Sequence, residues 1–269
     1  MRILSALAGC LALTVLSFGP AVQAEEAPAA SPICTDRPGK ASAACTADAG
    51  HFQVEADIVN GTFQRLDGVT TDTWLVINPT LKYGLGPTLD VEATWSPLMS
   101  VRTRSNGQTR TLSGDSDLFF RLKDKVYSQG AVEVALIPYV KAPTARSGVG
   151  DGAWEAGLIA PVAIKLPGPW SLNYTGEVDA FKNTSGDGLH PNMSHALNLG
   201  YSLPFNLTLS GEVWANYDFD PAGTTTQLSF DLGLAWLMSN DLQLDGGLNA
   251  GLNRQTPGAQ VYLGLSRRF

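Results

Sequence analysis

The chain has 269 residues, 18 Lys plus Arg against 25 Asp plus Glu, and a formal charge of -7. Charged residues make up 16 % and hydrophobic ones 44 %, where soluble domains carry roughly 25 % charged. This excludes a disordered chain and a basic nucleic-acid binder, so no nucleic-acid partner is expected. No apolar run beyond residue 20 approaches the roughly 18 residues of a membrane helix.

The first residues have the anatomy of a secretory signal peptide over 1–24: Arg2 at the start, an apolar run over 3–18, then Val22, Gln23 and Ala24 at a cleavage site. A lipoprotein box at Leu7, Ala8, Gly9 and Cys10 is the rival, but its apolar core would be too short. Without residues 1–24 the chain has 17 bases and 25 acids, a charge of -8, because only Arg2 is lost. Residues 25–50, rich in Ala, Pro, Ser and Thr, read as a periplasmic N-terminal segment, a linker or a plug-like arm. Cys34 and Cys45 lie here, and in an exported chain they are most simply one disulfide. A metal site with His51 lacks the Cys-x-x-Cys spacing and a fourth ligand, so no metal is expected.

From residue 51 onward about ten alternating residues are followed, again and again, by a polar or Gly/Pro-rich break. Phe52, Val54, Ala56 and Ile58 share one face, and Gln53, Glu55 and Asp57 the other. Leu228, Phe230, Leu232, Leu234 and Trp236 likewise oppose Gln227, Ser229 and Asp231. A period of two with one apolar and one polar face means strands. Their length matches tilted transmembrane strands better than the shorter strands of soluble sheets.

Longer breaks near 60–72, 102–114, 143–151, 182–192 and 218–224 alternate with shorter ones near 84–88, 166–170, 204–206 and 239–240, as outer loops and periplasmic turns do. The strands fall near 51–59, 73–83, 89–98, 115–123, 131–142, 152–165, 171–181, 193–203, 207–217, 225–237, 241–253 and 259–269. The fold class is therefore all-β: a transmembrane up-and-down antiparallel β-barrel over 51–269, of about 12 strands. Pro79, Pro138 and Pro161 oppose the strand pattern and read as bulges or strand ends. Trp74 and Trp214 fall by parity on the polar face, as lumen or rim residues. The last strand ends on Phe269 and resembles the C-terminal assembly signal that the barrel-assembly machinery reads in outer-membrane proteins.

The segments CTDRPGKASAACTADAGHFQVEADIVN (34–60), GVTTDTWLVINPTLKYGL (68–85), LIPYVKAPTA (136–145), GAWEAGLIAPVAIKLPG (152–168) and LNRQTPGAQVYLGLSRRF (252–269) resemble the outer-membrane transporter family named for the meta-pathway of phenol degradation. The resemblance implies a Gram-negative outer-membrane barrel that passes small solutes, including aromatic or apolar compounds, and it carries no site residues across.

With apolar faces toward lipid, strand parity gives the lumen eleven acids: Glu55, Asp57, Asp90, Glu92, Glu133, Glu155, Glu177, Asp179, Glu212, Asp231 and Asp245. Five bases share that parity: Lys82, Arg121, Lys123, Lys141 and Lys165. An acidic lumen favours cations. The alternative is that acids and bases pair across the interior and plug it, leaving a structural or surface-interaction role. An outer-membrane lipid hydrolase fits less well, because Ser194 and His195 are adjacent and a strand points them to opposite faces. Asp115, Ser116 and Asp117 lack calcium-loop spacing, and the glycines at 148, 150 and 152 precede no helix, so neither a cation loop nor a phosphate cradle is expected. The reading is a passive channel without catalysis or cofactor, whose partners are outer-membrane lipid and a small-molecule solute.

Overall fold

The structure, a computed structural model, describes residues 31–269; the signal peptide, the lipoprotein alternative and residues 25–30 lie outside the described residues. Fourteen strand segments follow in order: β1 (Phe52–Leu66), β2 (Val69–Gly84), β3 (Leu89–Thr94), β4 (Leu98–Ser105), β5 (Gln108–Gly114), β6 (Leu118–Gln129), β7 (Val132–Ala142), β8 (Glu155–Lys165), β9 (Trp170–Lys182), β10 (Leu189–Leu203), β11 (Leu207–Asp218), β12 (Thr225–Ser239), β13 (Leu242–Gly251) and β14 (Ala259–Arg268). β3 and β4 both pair with β2, while β6 and β5 pair with β3 and β4 in turn. Each couple is one stave interrupted, at 95–97 and at 115–117, so the segments make twelve staves. β1 pairs antiparallel with β14 as well as β2, which closes the barrel. Closure leaves no sheet edge unpaired in hydrocarbon.

The burial pattern is that of a water-soluble protein reversed. Gln53, Glu55 and Asp57 are buried while Phe52 and Ile58 are exposed. Along β10, His190, Asn192, Ser194 and Asn198 are buried while Met193, Leu197 and Leu199 face outward. Such an exterior is stable only against lipid tails, so the apolar face meets hydrocarbon and the polar face lines the bore.

Two of the expected breaks, 60–72 and 102–114, are strand. β1 and β2 are joined through Asp67 and Gly68, and β4 and β5 through Asn106 and Gly107, all four with positive φ. Asp-Gly and Asn-Gly are the pairs that tight hairpins favour. Above the bilayer both faces of a strand are wet, so the alternation that marks a strand fades there. Pro138 and Pro161 lie inside paired strands, opposite Leu158 and Thr175, where strand ends or bulges were expected. The β7–β8 ladder skips the residues between Val134 and Ile137, which accommodates the missing donor of Pro161.

A crease crosses four neighbouring staves at one level. Asp57 and Asn60 both turn inward, and the ladder between β1 and β14 slips between Asp57 and Val59. On β2 the slip falls at Ile77, whose φ of 53° is strained for a β-branched residue. The interruptions at 95–97 and 115–117 continue the line, where Trp95 N donates to Pro79 O and Ser116 N to Ser96 O. The slip also moves Trp74: expected on the lumen face or rim, it packs on the outer face with Phe63, ring centroids 5.5 Å apart. Trp214, expected inside or at the rim with it, lies under the ammonium of Lys40 in the lumen.

Outer aromatics gather at two levels. Phe52 with Tyr83 and Trp170 with Tyr201 pair near the short turns, while Trp74 and Phe63 pair near the other end. From Trp74 to Tyr83 is roughly 30 Å along a strand, or about 23 Å across a bilayer at a tilt of about 40°. Both ends of the barrel chain lie on the short-turn, periplasmic side. There Phe269 N donates to Phe52 O, and His51 Nδ1 lies 3.0 Å from Phe269 O.

Candidate functional site

The lumen is not empty. Residues 31–50 enter it from the short-turn end and return there: Ile33 N donates to Asn240 O in one short turn, and Gly50 N to Gly84 O beside another. The segment expected on the periplasmic side thus lies, from residue 31 onward, inside the wall as an arm. Cys34 and Cys45 are disulfide-bonded and close it into a loop. Its tip reaches wall residues from β1 to β14.

Charge holds the arm there. Arg37 bridges Asp57 at 2.8 Å and Asp245 at 2.9 Å. Lys40 Nζ sits 2.5 Å from Asp231 Oδ2, and the amides of Lys40 and Ala41 donate to Glu212 at 2.8 and 3.0 Å. In return Asp36 meets Lys82 and Lys123, and Asp48 meets Arg268. Burial pushes the Asp36 carboxyl up, but Lys123 and Lys82 outweigh it and hold it well below the usual carboxylate range. Buried carboxylates and ammoniums are costly alone and tolerable in pairs, which is why a charged arm fits a charged bore. Shape agrees with charge: at Gly264 the guanidinium of Arg37 occupies the place of a side chain, and at Gly233 a Cβ would lie 2.7 Å from Pro38.

The residues read from parity fall as follows. Glu55 meets Lys82 at 2.6 Å and the amide of Asp36; Glu92 lies 3.4 Å from Lys123 and 3.5 Å from Lys82; Asp90 accepts from the amide of Ala47 at 2.6 Å. Lys141 joins Glu155 at 2.7 Å, Asp151 at 2.5 Å and Asp117 at 3.5 Å, fastening the 143–154 loop. Asp151 is half out of that loop: burial raises its carboxyl, and Lys141 and the amide of Ala153 together bring it below its ordinary value. Glu177 accepts from Ser194, and Asp179 from Tyr139 at 2.6 Å and Asn192 at 2.9 Å. Arg121 donates to Thr94 and lies 5.3 Å over the Phe119 ring. Glu133 stands at the periplasmic mouth with Ser128, and Lys165 is exposed at the same end.

Sequence parity passed over an apolar patch on the inner wall, Ile137, Tyr139 and Ile159 with Phe119 against them. The signal was present, since Ile137 and Tyr139 share the parity of Lys141 and Ile159 that of Glu155. Around the arm, among the described residues, several cavities remain, one of about 170 Å³ between the arm and Ser171, Asn198 and Gln243. One of about 310 Å³ is lined by Asn78, Thr94, Arg121, Ile137 and Ile159, and another of about 280 Å³ by Asp179, Asn192 and Trp214. Lys40 and Glu177 border both. Ser194 turns inward to Glu177, whereas His195 lies outside against Tyr174 at 2.8 Å, so the two do not meet.

A closed barrel with a polar bore, an apolar belt and aromatic girdles is a bacterial outer-membrane β-barrel. The chain belongs to the family described as "Putative MetA-pathway of phenol degradation", which matches residues 35–269. Among solved structures it is similar to the COG4313 outer membrane channel from Pseudomonas putida F1, with a TM-score of 0.67 and 16 % identity over 87 % of this chain and 99 % of that one. It is also similar to the β domain of the Bordetella autotransporter BrkA, with a TM-score of 0.55 and 11 % identity over 82 % and 100 %. The NanC porin follows, with a TM-score of 0.51 and 8 % identity over 80 % and 98 %. No curated protein matches the sequence.

Proposed function

We propose that the protein is a passive outer-membrane channel for small solutes, including compounds with aromatic or apolar bodies, and that its lumen favours cations. The observation that carries this reading is the set of cavities left around the arm inside a polar bore. The arm brings two bases, Arg37 and Lys40, and two acids, Asp36 and Asp48, which cancel, so the acid surplus of the wall persists. Charges lining a narrow bore raise the local concentration of counter-ions, which sets the sign of selectivity. Catalysis has no part in this reading: the Ser–His geometry of an acyl hydrolase is missing at Ser194 and His195, which lie on opposite faces. The C-terminal strand ending at Phe269 serves as the signal for the barrel-assembly machinery.

A second reading, a plugged barrel with a structural or surface-interaction role, is favoured by the arm itself. Planar-bilayer recording separates the two. A channel gives discrete conductance steps and a reversal potential on the cation side in a salt gradient, and deleting residues 31–50 raises the step size several-fold. Silent wild-type protein that conducts only after the deletion supports the plugged barrel, and an anion-side reversal potential overturns the acidic lumen.

A further inference from the structure

We propose that the niche formed by Trp214 on β11 and by Ser229 and Asp231 on β12 is a binding site for small primary alkylammonium ions, with Lys40 of the arm as its tethered occupant. This rests on the channel reading and names a solute class for it. Lys40 Nζ lies 2.9 Å from Ser229 Oγ, 2.5 Å from Asp231 Oδ2 and 4.8 Å from the centre of the Trp214 ring. A hydroxyl, a carboxylate and an aromatic face are the partners by which an ammonium is recognised, whatever carries it. The wall supplies all three; the ammonium comes from the arm.

The niche opens onto the 280 Å³ cavity, in which Lys40 is the one basic residue of the lining and Glu177 and Asp179 are acids. Two oxygens at the site lack a donor among the described residues: Oδ1 of Asn192 in the cavity lining, a residue 3 % exposed, and Oδ1 of Asp231 in the niche, 2 % exposed. Both are acceptors, so the groups without partners call for a ligand rich in N–H donors. Trp214, Phe181 and Ala196 offer the cavity an apolar side for a short alkyl body. An anion meets two carboxylates in the same space, and a neutral hydrocarbon leaves the acceptors unpaired.

The test uses the full protein in detergent, titrated with n-butylammonium chloride and read by calorimetry and tryptophan fluorescence. Lys40→Met empties the niche and binds n-butylammonium saturably, at least tenfold tighter than wild type. Lys40→Arg keeps a cation in place and stays like wild type, and adding Asp231→Asn to Lys40→Met removes the binding. Equal affinity in wild type and Lys40→Met, or the same response to sodium chloride at equal ionic strength, overturns the proposal. Should Lys40→Met fail to fold, hydrogen exchange on wild type decides: n-butylammonium speeds exchange of the arm amides at 39–42 beyond what sodium does, and no difference overturns it. Conductance of the same preparations tests the channel reading separately. Binding without conductance sinks only that reading, and conductance without binding sinks only this one.

Discussion

The periplasmic half of the bore is fastened to the arm, and the extracellular half to its own wall and loops. Below the crease Glu55, Lys82, Glu92, Lys123 and Asp245 are all buried: Lys82, Lys123 and Asp245 meet opposite charges of the arm, and Glu55 and Glu92 meet those same lysines. Toward the outer end the partners lie in the wall and its loops: Lys141 meets Glu155, Asp117 and Asp151, and Asn249 donates to Gln260 and Gln260 in turn to Asn60. None of these contacts uses the arm. The lower half, by contrast, draws partners from a segment of chain that comes from outside the strands. The arm thus adds to the stability of the lower half, and the outer contacts do not involve it.

That contrast is sharpest at Lys82, which Asp36, Glu55 and Glu92 share. Lys82→Met leaves Glu55 without its cation and Asp36 and Glu92 with Lys123 alone, and stability falls by about 3–5 kcal/mol, the scale for breaking a buried charge pair. Loss of the heat-resistant folded band on gel electrophoresis, measured against urea, checks this; a change under about 1 kcal/mol breaks the comparison. Acid acts on the same junction. Because the folded carboxyl of Asp36 lies below its ordinary value, its contribution is complete above about pH 4, the unfolded value, and fades as pH falls from there toward the folded one. Protease sensitivity of the arm should accordingly rise below about pH 4 and stay flat from pH 5 to 8. In the upper half Gln260→Ala removes two neutral hydrogen bonds and costs about 1–2 kcal/mol by the same urea assay, with arm protection unchanged.

Alternation exposed the twelve staves because lipid on one side and a wet bore on the other write opposite residue types at neighbouring positions. It failed where those conditions fail. The hairpins through Gly68 and Gly107 stand clear of the bilayer, and there Asp-Gly and Asn-Gly were the surviving signal. A plug-like arm was one of the readings of residues 25–50, but nothing local chose it over a linker: Arg37 and Asp245 are 208 residues apart in sequence, and an Ala- and Pro-rich stretch reads alike in a bore or beside it. Trp74 shows a third limit, since a slip of one residue at Ile77 inverts the parity of all that precedes it on β2. The inner patch of Ile137, Tyr139 and Ile159 was legible in principle and was masked by the acids around it.

The crease also fixes how the first four staves tolerate change. On their outer stretches the lipid-facing and bore-facing ranks trade places, so a charge that would be harmless by extrapolation from Glu55 and Asp57 emerges on the hydrocarbon side instead. Asp72 and Arg104, paired outside the wall at 2.5 Å beyond Trp74, mark where oil gives way to headgroups and such charges become welcome again. A cysteine-labelling scan along these staves would therefore read as two rhythms half a beat apart, joined at a single seam.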